Sequence, residues 1–344
     1  MPPSLRDWLA EDHLAWFVID AVGRLDLQPF YAAYRADGHG RGAYEPSVMV
    51  SLVLYAYSTD ERSSRGIERR CRQDIAYRVI TGNQVPDHAT IARFIRRHRQ
   101  SLNELFGAVL RLCARAGLVS SGVVAVDGTK LSASASSDSN VDYDRIAREI
   151  IAEAIATDGA EDEQHGDARG NELPPELAAE ITTNPTDWSQ LRPMLETAID
   201  ELQQVGVTYK PEVVVADAQY WNEQHIDHVV AEHGCRVLIP PDGGKRQGER
   251  PGWTGGRYSF MRAVLQTELG KELYRKRQKS IEPVFGHTKH NRKIYRFNYR
   301  GRSLVRTEWR LAMLTHNLTK LHRHKTAAGP ERRLRELRRR VEGG

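Results

Sequence analysis

Three acids and a lysine stand where they could serve one reaction. Asp127 follows the apolar run Val123-Val-Ala-Val126, and Asp217 follows Val213-Val-Val-Ala216. Short apolar runs of this kind read as buried strands. In open α/β sheets, ligands gather beyond the carboxyl ends of the strands, so if the two strands are neighbours their acids share one site. Two adjacent carboxylates repel, and a divalent cation removes that cost. Mg²⁺ suits such oxygen donors, held typically by one or two carboxylates plus substrate phosphates. The alternative for each acid alone is that it opens a turn, as Asp127-Gly128 would. A third acid, Glu282, lies in the strongly basic segment from Tyr274 to Lys289. Pro283 suits the first turn of a helix over Ser280–Lys293. On that helix Glu282 and Lys289, seven positions apart, fall on one face. A carboxylate and a lysine aimed one way suit a metal and a phosphate; a lone acid among bases otherwise reads as a surface ion pair.

The elements that must hold these residues follow from periodicity. Arg236–Pro240 is a third short strand, and Tyr220–Glu232 is the helical crossover leading to it, which makes the second part α/β. Residues 1–119 read as helical. Pro46 opens a helix with Val48, Leu52, Tyr55 and Ala56 on one face. Ser63–Asp74 is a short basic helix carrying Arg65, Arg69, Arg70 and Arg72. Asp87 caps the next one, with Ile91, Phe94 and Ile95 on its apolar side and Arg93, Arg96, Arg97 and Arg99 on the other. Leu102, Leu105, Val109 and Leu112 continue a helical pattern towards Gly117. Short helices with arginines on the open face fit a helix-turn-helix-like DNA module, and equally a solvated bundle. Val141–Ile155 and Pro193–Leu202 read as helices, Pro240–Gly256 as a basic loop. Arg306–Leu321 is an amphipathic helix, ahead of an arginine-rich tail.

A chain of 344 residues suggests two domains. A hydrophobic fraction of 40% and a net charge of +5 fit a globular protein. No apolar run approaches the roughly 18 residues that cross a bilayer, and the N-terminus lacks the pattern of a secretory signal. Cys71, Cys113 and Cys235 are odd in number and far apart, which argues against disulfides or a zinc site and fits a cytoplasmic protein. Charge is unevenly placed. From Asp138 to Glu201 acids outnumber bases roughly four to one; from Met261 onward bases outnumber acids about three to one. Such asymmetry fits phosphate contact through the basic part, or simply a solubilising surface.

Together these residues resemble the DDE-type transposases of bacterial insertion sequences. The resemblance rests on Val-Asp-Gly-Thr-Lys at 126–130, Ala-Asp-Ala-Gln-Tyr-Trp at 216–221, and Tyr274, Arg277, Glu282 and Lys289 in that order. It implies an α/β, RNase H-like mixed sheet with flanking helices, preceded by an all-α domain. The domains would be 1–119 (helical, DNA-binding), 120–325 (catalytic, with an acidic helical insertion at about 138–183) and a basic tail, 326–344. Asp127, Asp217 and Glu282 would be the catalytic acids and hold two Mg²⁺ ions, with Mn²⁺ as a substitute. DNA would be gripped by Lys130, Tyr274, Arg277, Lys289, Arg292 and Lys293, and by Arg93, Arg96 and Arg97 of the helical domain; Trp221 could stack on a base. The implied partners are the terminal inverted repeats, target DNA and a second copy of the chain, at the nucleoid. Two departures stand out. Four residues separate Arg277 from Glu282, one more than the resemblance implies. Only 90 positions separate Asp127 from Asp217, where strands two and three of the sheet belong, so an internal deletion costing one or two strands is expected. Three readings follow: an active transposase, a remnant that only binds DNA, or an RNase H-like metal nuclease.

Overall fold

Local signals set most of the helices. In a computed structural model, which describes residues 5–34, 42–119, 123–129, 131, 178–182, 187–207, 211–243 and 248–342, a 3₁₀ turn at Leu5–Trp8 leads into α1 (Leu14–Val22) and the single-turn α2 (Gln28–Tyr31). Pro46 occupies the first turn of α3 (Pro46–Ser58), as expected. This helix is buried nearly all round, from Met49 to Tyr57, rather than along one face. Ser63 caps α4 (Ser64–Gln73) and Asp74 caps α5 (Ile75–Ile80). Asp87 accepts from the Thr90 backbone N–H at 2.9 Å and so starts α6 (His88–Arg97), which buries Ile91, Phe94 and Ile95. Then α7 (Arg99–Arg115) runs to Gly117, whose φ of +74° ends it.

The three expected strands all form: β1 (Val123–Val126), β2 (Val213–Ala216) and β3 (Arg236–Leu238). They lie in the order β1-β2-β3, and both pairings are parallel. The α/β arrangement is thus present, and the strands among the described residues are parallel throughout. Parallel neighbours need a crossover, and α9 (Glu223–His233), after the 3₁₀ turn Ala218–Tyr220, supplies the one from β2 to β3. It follows α8 (Leu191–Gln204), and both cover the sheet through Leu191, Leu195, Ile199, Ile226 and Val229. The expected insertion and the Val141–Ile155 helix lie largely outside the described residues. Among the described residues between Asp127 and Leu191 there is no strand.

A long helical unit follows: α10 (Gly256–Gln266), α11 (Glu268–Gly286), a π-helical turn at His287–Asn291, and α12 (Arg302–Glu342). The helix expected over Ser280–Lys293 starts twelve residues earlier. Thr267 accepts from the Gly270 N–H at 3.0 Å through its hydroxyl and caps it there, so Glu282 and Pro283 sit in the last turn of α11, not the first. The basic tail continues α12 without a break to Glu342. Leu311, Leu314, Leu318 and Leu321 of α12 join the apolar core built by α1 to α7, so the helical core draws on both ends of the chain. Arg310 ties this core to the sheet layer. It donates to Glu201 of α8 at 2.5 Å and to the Asn103 carbonyl of α7 at 3.3 Å, and lies over the Phe106 ring.

Candidate active site

Register brings the two strand-end acids together. Val126 of β1 pairs with Ala216 of β2, and the next residue on each strand is the acid. Adjacent strands lie about 4.8 Å apart, so the carboxylates must share a cation or repel. Arg277 of α11 supplies positive charge here. Its guanidinium donates to Asp127 Oδ2 at 2.6 Å and lies 3.8 Å from Asp217 Oδ2. The Asp127 side chain is 11% exposed and that of Asp217 25%, against 7% for Arg277. Each acid also makes a turn bond: Asp127 Oδ1 accepts from Gly128 N–H at 2.8 Å, and Asp217 Oδ1 from Gln219 N–H at 2.9 Å. Each carboxylate therefore makes a turn bond through one oxygen and faces Arg277 through the other. Tyr274, one turn before Arg277, places its ring 5.8 Å from that guanidinium, in cation–π range.

Lys289 of the π turn interacts electrostatically with Asp127. Burial lowers its ammonium below the ordinary lysine value, and the Asp127 carboxylate opposes that shift. Tyr220, at the end of the 3₁₀ turn after Asp217, is 1% exposed. Burial raises its phenol well above the ordinary value; Asp187, Asp127 and Asp217 add to this in that order, and Arg277 opposes it. Asp187 drew no attention in the sequence, because neither a strand nor a helical period precedes it. Tyr220 lies inside the motif at 216–221, where nothing local sets it apart.

Other expected residues fall elsewhere. Glu282 lies on α11, its side chain outside the described set. Lys130 lies outside the described residues. Arg292 departs from its expected DNA role: it is buried and spends its donors inside the protein. Nε bonds Asp60 at 2.9 Å, Nη1 the Ala312 carbonyl at 2.6 Å, and Nη2 the Tyr57 carbonyl and Thr315 hydroxyl at 2.7 and 2.9 Å. Lys293 is exposed next to it, with φ +51°. Trp221 packs against the core under the sheet. Arg93, Arg96 and Arg97 are exposed on α6, which packs on α4 with its own exposed Arg65, Arg69, Arg70 and Arg72. Arg97 is partly engaged, lying over the Tyr34 ring and donating to the Ala33 carbonyl.

A second group of possible ligands, Glu196, His228 and Glu232, has donor atoms within 4.8 Å of one another. It is largely exposed and already carries Arg192, 2.6 Å from Glu196 and 3.8 Å from Glu232, so an ion-pair network accounts for it. The three cysteines are buried and none is in a disulfide. No helix among the described residues is long and apolar enough to cross a membrane.

Comparison with known families agrees at both ends of the chain. Residues 3–97 match a family described as a transposase domain, and residues 256–322 match a transposase DDE domain. No curated protein and no solved structure matches the chain. The first match spans α1 to α6, with the arginine-bearing face. The second holds Tyr274, Arg277, Glu282 and Lys289, and Asp127 and Asp217 lie in the stretch between them. An N-terminal region similar to transposase domains, a C-terminal region similar to transposase DDE domains and a pair of strand-end aspartates drawn onto that second region together support an insertion-sequence DDE transposase.

Proposed function

We propose that the chain moves its element by metal-dependent phosphoryl transfer, cutting DNA at the insertion-sequence ends and joining those ends to a target. The observation that carries this is one cationic group reaching both strand-end acids, at 2.6 and 3.8 Å. Two hard carboxylate oxygens that converge on one positive charge are a donor set that fits Mg²⁺ or Mn²⁺. Asp127 and Asp217 would hold the ions, with Glu282 as third ligand. Bound there, the metal supplies Lewis-acid polarisation of the scissile phosphate and a water or 3′-hydroxyl of lowered pKa.

The chain's own residues do the rest. Lys289, half-buried and under the charge of Asp127, offers a point charge to a phosphate oxygen. Arg277 has the planar fork for a bidentate phosphate grip and would exchange its carboxylate for one. Tyr274 keeps that guanidinium over the site, and Lys293 lies exposed beyond the π turn. Arg93, Arg96 and Arg97 would hold the terminal repeat through backbone phosphates. The three parallel strands are read as the parallel part of an RNase H-like sheet, with two copies of the chain acting on paired ends.

The test is Mg²⁺-dependent cleavage of DNA carrying the element's own ends, with wild type beside Asp127→Asn and Glu282→Gln. Wild type is expected to cut and both variants to bind without cutting. Cutting that survives Asp127→Asn, or that persists in EDTA, overturns the assignment. Wild type that binds the ends and does not cut identifies the DNA-binding remnant.

A further inference from the structure

A third carboxylate is seated at the strand ends. A methyl group added at Gly128, the residue after Asp127, would lie 3.2 Å from Asp187 Oδ1 and 3.3 Å from the Tyr220 hydroxyl oxygen. Asp187 and Tyr220 thus close over Gly128 from two other segments. Tyr220 belongs to the turn whose second residue, Gln219, donates its N–H to Asp217. Asp187 opens the turn into α8, its carbonyl accepting from Gln190 N–H at 2.8 Å, and α8 is anchored in the sheet's core by Leu191 and Leu195.

We propose that Asp187 is a positioning residue: its carboxylate, packed against Gly128 on the side that the Tyr220 hydroxyl also covers, locks the turn bearing Asp127 onto the turn bearing Asp217 and so fixes the spacing of the two metal-binding acids. This rests on the function proposed above. Placing a third acid beside two that already repel is unfavourable for folding alone, which a role in the site explains. The buried phenol of Tyr220 stays protonated, pushed up first by burial and then by Asp187, which acts on it ahead of the two strand-end acids. Asp187 and the Tyr220 hydroxyl both lie against Gly128, and Asp187 acts on that phenol through its charge. Gly128 completes the lock because a side chain there would press on both partners.

The test is Mn²⁺ affinity of the full chain, read from the electron paramagnetic resonance signal of free Mn²⁺, with thermal unfolding without metal as control. Wild type is expected to bind and Asp127→Asn to lose binding. Asp187→Asn and Gly128→Ala are each expected to weaken Mn²⁺ by about 10–100-fold, the size of losing a partner that orients a ligand, with little change in unfolding temperature. Because Asp187 acts with Tyr220, Asp187→Asn added to Tyr220→Phe should cost little beyond the larger single loss. Wild-type affinity in Asp187→Asn and Gly128→Ala, or fully additive losses with Tyr220→Phe, overturns the positioning role while leaving the metal site standing. A wild type without Mn²⁺ affinity overturns the proposed function and this inference with it.

Discussion

Arg277 and a divalent cation answer the same need, since either can neutralise Asp127 and Asp217. The arginine is fixed by 2.6 Å geometry at one acid and lies within ion-pair range of the other, with most of its surface buried. Removing it leaves two adjacent acids without that charge. Breaking a buried pair costs about 3–5 kcal/mol, and the lower end applies because Asp217 remains a quarter exposed. Arg277→Ala is therefore expected to unfold more easily than wild type in EDTA, by about 3 kcal/mol. Mg²⁺ should recover much of that loss, so that the metal-induced rise in melting temperature is larger in the variant. Equal rises in the two proteins would show that Arg277 and the metal do not share a site. Glu282→Gln is expected to abolish cutting by more than the roughly 10–100-fold that losing an outer partner costs, with DNA binding kept, as measured by cleavage beside gel shift.

The π turn and its neighbours show what periodicity can reveal and what it cannot. Asp127 and Asp217 were legible because a four-residue apolar strand ending in an acid is a local signal. Their pairing was a conditional inference, and the register of β1 on β2 decided it. Arg292 looked like its neighbours Lys289 and Lys293, because a run of bases reads as an open face until long-range packing buries one of them. Its partners at Tyr57, Asp60, Ala312 and Thr315 come from α3, the turn after it and α12, which no local pattern announces. Proline misled for a similar reason: Pro283 marks a first turn by propensity, but the Thr267 cap lies sixteen residues earlier. Asp187 was invisible because its meaning depends on Gly128 and Tyr220. Helix packing also carries a pH signal. His98, 2% exposed at the α6–α7 junction, touches Phe30, Phe94 and Tyr34. Burial first, then Arg97, holds it below the ordinary 6.5. The unfolded chain therefore takes up more protons here than the folded one as pH falls through 6.5, and stability present above that value is lost on acidification. Urea unfolding at pH 7.5 and pH 5 should show this loss, and His98→Phe, which cannot be protonated, should lose less. Equal acid sensitivity in the two proteins would count against the assignment.

Across the whole molecule, charge and core are arranged to different plans. The apolar core joins the first seven helices to α12, so the matched N-terminal and C-terminal regions are packed as neighbours while the sheet and its acids lie between them in sequence. The arginines of α4 and α6 stay exposed on the helical part, and the site's cations cluster at α11 and the π turn. This separation predicts that gripping DNA and cutting it can be removed independently. Each phosphate neutralised on B-DNA contributes about −0.9 to the slope of log affinity against log salt. Arg93 and Arg96 are the best placed for full contacts, because Arg97 is engaged with Tyr34 and Ala33. Replacing Arg93 and Arg96 together by alanine is expected to flatten the salt slope by about 1.8, two contacts' worth. Affinity should fall for all sequences if these arginines touch only phosphate, and selectively for the element's ends if either reaches a base edge. Asp127→Asn should leave the slope unchanged. A slope unaltered by the arginine pair would mean that this face is solvated rather than bound, which decides between the two readings its sequence pattern left open.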